Sequence, residues 1–339
     1  MLLSLARSRR ILFVGGKGGV GKTSVSAALA LARARDGGRV LLVSTDPAHN
    51  LGQVWDAQLS DAPTRVFTHG AGPDGASPDR AGSGSAGFVD AVEIDPHATI
   101  ERHFANVADT MRRLLPDRLH AQARQHLEQA KAAPGSHESA VLERIAELIE
   151  TSRGTHDLVL FDTAPSGHTL RLLALPAQLT TWMETLLASR DRSERFAAAA
   201  RSVVGRGDDQ PSADAELRRT LIARRDRFSL MGRLVTDAAH TSFIVVSVAE
   251  RLPVAESIEV VRQLTALHID PAAIVLNRRS PADAGALLAA RRVQEERQLE
   301  RLRDAVGGIP IVQTPLLPGD LAGAEALGLL ADHLVASRT

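Results

Sequence analysis

Residues 15–24 read Gly-Gly-Lys-Gly-Gly-Val-Gly-Lys-Thr-Ser. They match the phosphate-loop pattern G-x-x-x-x-G-K-[ST], whose fixed positions fall on Gly16, Gly21, Lys22 and Thr23. Glycine lets the backbone wrap closely around a phosphate, so that successive N–H groups point at the anion. In this pattern Lys22 reaches the β- and γ-phosphates, and the Thr23 hydroxyl holds Mg²⁺. The stretch therefore predicts a site for ATP or ADP with Mg²⁺.

The residues on either side of the loop place it between a strand and a helix. An apolar run, residues 11–14, precedes the loop, and an alanine-rich segment of helical pattern begins near Lys22. The N-terminus of that helix directs its positive end at the same phosphates. This context argues against a glycine-rich turn with a chance lysine. We expect the other loop residues to contact the nucleotide too: Lys17, Gly18, Gly19, Val20 and Ser24.

The composition excludes several classes of protein. Among 339 residues, 40 Lys and Arg balance 40 Asp and Glu, so no net charge draws the chain to nucleic acid. The chain has no cysteine, which excludes disulfides, cysteine-held zinc and thiolate chemistry. The N-terminal stretch lacks the apolar core of a signal peptide, and no apolar run approaches the roughly 20 residues that span a bilayer. We expect a soluble, cytoplasmic protein.

The hydrophobic pattern predicts an α/β fold. Short apolar or β-branched runs alternate with helical patterns, which is typical of a mostly parallel central sheet flanked by helices. The predicted strands cover residues 10–14, 39–44, 89–94, 157–161, 243–248, 273–276 and 309–313. We expect residues 1–339 to form a single P-loop domain.

Three regions depart from a minimal α/β unit. Residues 97–153 and 177–239 read as helices and are predicted to form together an inserted α-helical subdomain, because strands resume on both sides of them. Residues 70–87 consist almost entirely of Gly, Ala, Pro, Ser, Asp and Arg. Such a segment cannot bury a core, so it is predicted to be a flexible surface loop.

Two acidic residues follow predicted strands. Asp46 leaves the edge of the sheet where open α/β folds bind ligands, and it is placed to orient the water that attacks a γ-phosphate, with Asn50 as a second polar contact. The alternative is a turn in which Asp46 caps a helix. Asp162 ends an apolar strand, as an aspartate of the Mg²⁺ shell does, and the segment after it reads as a switch loop. A strand-end cap is again the simpler alternative.

The sequence resembles the ArsA / tail-anchored-protein-targeting ATPases, a family of P-loop NTPases whose phosphate loop carries a second lysine. The matching stretches are GKGGVGKT (16–23), STDPAHNL (44–51), FDTAPSGHTLRLLALP (161–176), VSVAERLPVAES (246–257), VLNRR (275–279) and PLLPGD (315–320). They span nearly the whole chain. The resemblance implies an ATPase that works as a homodimer with the nucleotides sandwiched between two subunits.

The resemblance also implies roles at the phosphate end of the site. Lys17 would reach across the dimer to the partner's phosphates, and Lys22 would act on the phosphates of its own subunit. Asp46 would position the hydrolytic water. Thr23, Asp46 and Asp162 would surround the Mg²⁺ ion.

At the base end, the resemblance implies that Asn277 hydrogen-bonds adenine, although a polar cap at a strand end would look the same. The backbone around Pro315 and Leu316 would pack beside the base. Glu250 would lie near the nucleotide at the dimer interface.

The sequence departs from its family at the cysteines. The arsenite-pump members bind As(III) or Sb(III) through thiolates, and the eukaryotic targeting members clamp zinc with cysteines at the dimer interface. This chain has none. Soft ions need soft ligands, so the usual metalloid site is absent, and a dimer has to form without the zinc clamp.

The helical regions hold the remaining clues. An apolar stripe runs through Leu179, Trp182, Met183, Leu186 and Leu187, with further apolar residues in 111–115 and 228–234. It would suit a groove for a client helix, but also ordinary core packing. The arginine-rich run at 218–227 reads as a solvated helix face or as a contact for an acidic membrane.

Three functions remain open from the sequence. The first is an ATPase that handles a hydrophobic client, such as a membrane-protein tail, with at most transient membrane contact. The second is an ATPase that drives a membrane transporter, such as an arsenite or anion efflux pump. The third is a nucleotide-gated scaffold without turnover, against which Asp46 and Lys17 argue. We expect no nucleic-acid partner.

Overall fold

The computed structural model describes residues 1–46, 50–70, 86–114, 120–131, 136–163, 180–181, 184–185, 211–269 and 271–336. Several sequence-based predictions lie outside these residues. They are most of the flexible loop at 70–87, the switch segment that follows Thr163, and the apolar stripe from Leu179 to Leu187.

Eight strands form one sheet. They are β1 (Ile11–Gly16), β2 (Arg39–Ser44), β3 (Thr64–Thr68), β4 (Phe88–Glu93), β5 (Leu158–Asp162), β6 (Thr241–Val248), β7 (Pro271–Arg279) and β8 (Ile311–Pro315). Their order is β3-β4-β2-β5-β1-β6-β7-β8. Neighbours run parallel except β3 and β4. The predicted fold class, a mostly parallel α/β sheet of P-loop type, is confirmed.

The helices that the structure describes precede, separate and follow these strands along the chain. They are α1 (Leu2–Ser8), α2 (Lys22–Arg35), α3 (Leu51–Trp55), α4 (Pro96–Leu114), α5 (His120–Lys131), α6 (Ser136–Thr151), α7 (Pro211–Thr236), α8 (Arg251–Ala266), α9 (Ala286–Val306) and α10 (Gly323–Ala336). Helix α2 begins at Lys22, where the sequence pattern predicts a helix.

A continuous apolar core lies on one face of the sheet. Alternate residues of the strands, such as Leu12 and Val14 of β1, pack with α1, α2 and α10. Helix α2 buries a run of small side chains, among them Ala27, Ala28 and Ala30. Small residues let α2 approach the strands closely, and this packing fixes the position of the phosphate loop at its N-terminus.

The other face of the central strands carries three aromatic rings. Phe13 of β1 stacks on Phe161 of β5 at 4.9 Å between centroids and on Phe243 of β6 at 6.2 Å. Such stacked rings add roughly 0.5–1.5 kcal/mol each beyond their buried area. They lock β1, whose end carries the phosphate loop, to its two neighbours β5 and β6.

The edge strand β3 is missing from the sequence-based prediction. It pairs antiparallel with β4, with an irregularity between Arg65 and Phe67. Its residues are half-buried or exposed. An edge strand with one solvated side lacks the continuous apolar run that marks the buried parallel strands, so its pattern resembles a polar loop.

The contacts divide the chain into two compact units. One contains Met1–Asp95, Leu148–Leu170 and Val235–Thr339, with the whole sheet; the other contains Pro96–Glu147 and Arg171–Leu234. The described residues of the second unit are helical, and Lys131 of α5 forms an ion pair with Glu101 of α4. In α7, Phe228 and Met231 are buried. These two side chains belong to a packed core and not to an open groove.

Candidate nucleotide site

The phosphate loop joins β1 to α2 in a conformation that requires glycine at two positions. Gly21 has φ = 92° and is the N-cap of α2. A β-carbon on Gly16 would lie 2.2 Å from the carbonyl oxygen of Val246 in the neighbouring strand. The first position needs the left-handed region and the second needs a close backbone approach. The loop is thereby held against β6.

Lys22 turns its ammonium group into the loop. The side chain is almost fully buried, and Nζ donates to the carbonyl oxygen of Lys17 at 3.2 Å. Burial lowers the pKa of Lys22, while the carboxylates of Asp162 and Asp46 act in the opposite direction. A lysine in this environment is a positive charge that water screens poorly, as phosphate binding requires.

Asp162 ends β5 in the interior, beside the start of α2. Burial raises the pKa of Asp162 from 3.8 to about 7, although hydrogen bonds from the hydroxyls of Thr23 and Ser26 and the charge of Lys22 oppose the rise. Its Oδ2 atom has no hydrogen-bond partner among the described residues. A buried carboxylate oxygen without a partner, next to a threonine hydroxyl, fits a Mg²⁺ ion. Mg²⁺ takes oxygen ligands and is usually held by one or two carboxylates plus phosphates and water.

Replacing Asp162 by Asn is expected to stabilise the ligand-free protein at pH 8. The raised pKa means that the folded state disfavours the charged carboxylate, so stability falls as pH rises from about 4 through about 7. Asn removes this cost, which is on the order of 4 kcal/mol, at about 1.4 kcal/mol for each of roughly three pH units. Thermal unfolding with EDTA measures the effect, which should nearly vanish at pH 4.

A carboxylate at the opposite end of β5 provides the control. The Arg39 guanidinium holds the pKa of Asp157 below its usual value. Asp157→Asn should therefore destabilise the protein at pH 8, the reverse of Asp162→Asn. If both variants shift stability in the same direction, the assignment of an unfavourable buried charge to Asp162 is wrong.

Asp46 follows β2, next to β5 in the sheet. It is half-buried, and its N–H donates to the Ser44 hydroxyl at 3.3 Å. Its charge acts on both Lys22 and Asp162. The structure thus brings Lys22, Asp46 and Asp162 together at the carboxyl ends of β1, β2 and β5, where parallel sheets bind ligands.

A cavity of about 550 Å³ lies beside the loop. Five of its lining residues are predicted nucleotide contacts: Ser24, Asn50, Asn277, Pro315 and Leu316. Others that the sequence-based prediction missed include Gln53, Val54, Arg278 and Asp320. Its mixture of apolar walls and a few polar groups is typical of small-molecule sites.

Asn277 is buried at the end of β7 and makes three described hydrogen bonds. Its Nδ2 donates to the carbonyl oxygen of Val20 at 2.9 Å. Its Oδ1 accepts from the Thr314 hydroxyl at 2.8 Å and from the Arg278 N–H at 2.9 Å. The side chain therefore joins the phosphate loop to the cavity wall.

Two predicted site residues lie in ion pairs within the chain. Lys17 Nζ lies 2.7 Å from Glu256 of α8. Glu250, exposed at the N-terminus of α8, lies 2.8 Å from Arg291 of α9 and is not among the cavity-lining residues. Neither Glu256 nor Arg291 was singled out from the sequence, because pairing between distant surface charges leaves no local pattern.

The profile of the anion-transporting ATPases (ArsA) matches residues 9–70 and 87–336. The chain belongs to this family. Among its relatives, the ATPase get3 of Aspergillus terreus is 31% identical over 97% of this chain and 91% of its own length. The ATPase GET3A of Arabidopsis thaliana is 31% identical over 94% and 82%. The ATPase ASNA1 homolog 1 of Paramecium tetraurelia is 28% identical over 96% and 92%.

As a member of the anion-transporting ATPase family, the chain is an ATPase and binds nucleotide. Among the helices described, none combines the length and the apolar character needed to cross a membrane.

A further acidic residue supports the start of helix α3, which lines the cavity. Glu93, at the end of β4, is largely buried, and its Oε1 accepts from the Gly52 N–H at 3.0 Å. Gly52 lies in the first turn of α3, whose N-cap residue Asn50 makes no side-chain cap. Glu93 thus supplies the acceptor that a helix start needs, and α3 carries cavity residues Gln53 and Val54.

A buried ion pair anchors the end of β7 in this ATPase. Arg279 Nη1 lies 3.0 Å from Glu295 of α9, and both side chains are at least 96% buried. Glu295 also accepts from the Ser280 N–H at 3.0 Å and from the Ser280 hydroxyl at 2.6 Å. The pair holds the strand end that carries Asn277.

Removing one partner of this pair is expected to be costly. Glu295→Ala should lower the free energy of unfolding by about 3 kcal/mol, because it leaves the Arg279 charge buried with fewer partners. Urea denaturation measures the change. Glu300→Ala, which truncates an exposed glutamate on the same helix, should stay within about 0.5 kcal/mol of the unmodified protein. If both variants lower the free energy of unfolding by the same amount, the buried ion pair stabilises the protein no more than an exposed glutamate does.

Proposed function

We propose that this ATPase works as a homodimer that sandwiches two nucleotides, and that its ATP-driven cycle of closing and opening handles a hydrophobic client. The proposal of a dimer rests on the position and exposure of Lys17. This residue stands at the start of the phosphate loop and keeps about a third of its side chain exposed. A lysine there is free to leave Glu256 and reach a second subunit.

The chemistry follows from the groups around the loop. Lys22 and the loop N–H groups bind the phosphates, and Asp46 orients the water for attack on the γ-phosphorus. Thr23, Asp46 and Asp162 are the residues that would hold Mg²⁺, which neutralises charge on the phosphate oxygens. The fold holds these charged side chains in place before the substrate binds. The site therefore needs little reorganisation during the reaction.

We assign the cavity to the nucleoside. Asn277 would reach the base with its second amide hydrogen, and Pro315 and Leu316 would pack beside it. Glu250 remains a proposed contributor at the interface between subunits. Because its substrate ATP is a cytoplasmic metabolite, we place the cycle in the cytoplasm, without a nucleic-acid partner and with at most transient membrane contact.

The client is proposed to be a hydrophobic segment such as the tail of a membrane protein. The relatives named get3, GET3A and ASNA1 homolog support this function over that of an efflux-pump subunit. The experiment is steady-state ATP hydrolysis with a hydrophobic tail peptide, and separately with arsenite and antimonite. A charged peptide of equal length is the control. Stimulation by the hydrophobic peptide alone supports the proposal, and stimulation by a metalloid alone overturns it.

For metalloids we predict a flat response. The chain has no cysteine, and the histidine and carboxylate ligands that remain suit a soft ion poorly. Arsenite and antimonite should leave the hydrolysis rate of the isolated ATPase unchanged across a titration in thiol-free buffer. A saturable, several-fold stimulation would mean that a site without cysteine has replaced the usual one.

A further inference from the structure

The end of β7 contacts the phosphate loop at two consecutive carbonyl groups. Arg278 Nη1 donates to the carbonyl oxygen of Gly19 at 3.0 Å. The neighbouring Asn277 Nδ2 donates to the carbonyl oxygen of Val20 at 2.9 Å. The side chains of two adjacent residues therefore fix the orientation of two adjacent peptide groups.

These contacts determine where the loop N–H groups point. In a trans peptide the C=O and the following N–H point in opposite directions, and the described residues include no cis peptide. With the Gly19 carbonyl turned toward Arg278, the Val20 N–H points away from β7. The Gly21 N–H does the same, because the Val20 carbonyl is held by Asn277. Such N–H groups form the anion-binding cradle of a phosphate loop.

The backbone at Arg278 is itself unusual. Its φ of 56° lies in the left-handed region, which is unfavourable for most residues other than glycine. Its N–H donates to Asn277 Oδ1. Because a backbone N–H only donates, the atom facing it is the amide oxygen, and Nδ2 has to face the loop. On the far side, the Arg279–Glu295 pair fixes the strand end.

We propose that Arg278 is a positioning residue that orders the phosphate loop for the diphosphate or triphosphate before it binds. The inference rests on the proposed nucleotide site and deepens it. The unfavourable backbone conformation of Arg278 is retained because it directs the guanidinium group at the carbonyl oxygen of Gly19. Arg278 also lines the cavity assigned to the nucleoside, but it acts on the phosphates through the loop, and so its loss weakens binding of the phosphate chain more than binding of the nucleoside.

Isothermal titration of three probes, ADP, pyrophosphate and adenosine, tests this role. Arg278→Asn keeps a residue type that tolerates the left-handed region but is too short to reach Gly19. We expect its affinity for ADP and pyrophosphate to fall about fivefold to tenfold, and its affinity for adenosine, whose cavity Arg278 also lines, to change by a smaller factor. Arg278→Gln, which retains a long side chain with an N–H donor, should recover part of the loss. Arg301→Ala, at an exposed arginine of α9, should change none of the three affinities.

The outcomes separate the inference from the function on which it rests. Unchanged affinities in Arg278→Asn overturn it. A fall of equal size for ADP and adenosine, with pyrophosphate unchanged, also overturns it, because Arg278 would then act only through the nucleoside. If the unmodified protein binds neither ADP nor pyrophosphate, the proposed nucleotide site fails, and the role of Arg278 with it. Should Arg278→Asn not fold, Arg278→Gln carries the test. A lowered affinity for pyrophosphate, with a smaller change for adenosine, supports the role, and an unchanged affinity for pyrophosphate overturns it.

Discussion

Asp46→Asn is expected to bind ATP normally and to lose turnover by about 10²-fold or more, which is the contribution of a well-placed general base. The carboxylate follows β2, next to Asp162 at the end of β5, and its charge acts on Lys22. Asn keeps the shape and the hydrogen-bonding oxygen but neither accepts a proton nor carries charge. Single-turnover hydrolysis, alongside ATP binding by titration, separates chemistry from affinity.

A second carboxylate distinguishes catalysis from charge removal. Asp56→Asn removes an acidic residue further along the chain from Asp46, at an exposed position just beyond α3. It should hydrolyse ATP at the rate of the unmodified protein. Turnover in Asp46→Asn at that same rate would exclude Asp46 as the residue that orients water and would support its alternative role as a turn or cap residue.

Lys17→Ala is expected to bind nucleotide and yet fail to form an ATP-stabilised dimer. In the single chain Lys17 is paired with Glu256. An exposed ion pair of this kind contributes roughly 0–1 kcal/mol, so exchanging Glu256 for the partner's phosphates costs little. Loss of the lysine removes a charge that acts only when two subunits meet. Light scattering with ATP and with ADP measures the dimer.

The control for this prediction is another lysine in an ion pair. Lys131→Ala breaks the pair with Glu101 in the helical unit and should leave the ATP-dependent dimer intact. Normal closure by Lys17→Ala would show that Lys17 is a surface residue without a role across the interface. In that case the double-lysine loop would no longer support a nucleotide sandwich.

The sequence predicted those parts of the site that depend on strand ends. The pattern places the loop after β1, Asp46 after β2 and Asp162 at the end of β5, and parallel strands bring their carboxyl ends to one edge. Contacts that depend on side-chain reach across elements were not predictable. Glu256 of α8 meets Lys17, and Glu93 of β4 caps α3, only because the fold brings together elements that are distant in the sequence.

The left-handed backbone of Arg278 shows a different limit. Positive φ values are expected from the sequence at glycine, asparagine or aspartate. An arginine after Asn277 is therefore predicted to continue the strand with an ordinary extended backbone. The conformation is imposed by tertiary contacts on both sides of the strand end. Strand β3 was missed for a related reason, since half-solvated pairing leaves a weak pattern.

The two borders of the sheet limit how copies of this protein can associate. At one border β3 has five residues, a register irregularity after Arg65, and that arginine lies 3.5 Å above the Phe88 ring. At the other border β8 also has five residues and ends in Pro315, which has no N–H to donate. Short, interrupted borders of this kind are poor templates for adding a strand from another chain. In the proposed dimer, two subunits would therefore not join their sheets into one. They would instead meet through the loops at the carboxyl ends of the strands, so that the bound nucleotide, and not backbone pairing, would decide whether they associate.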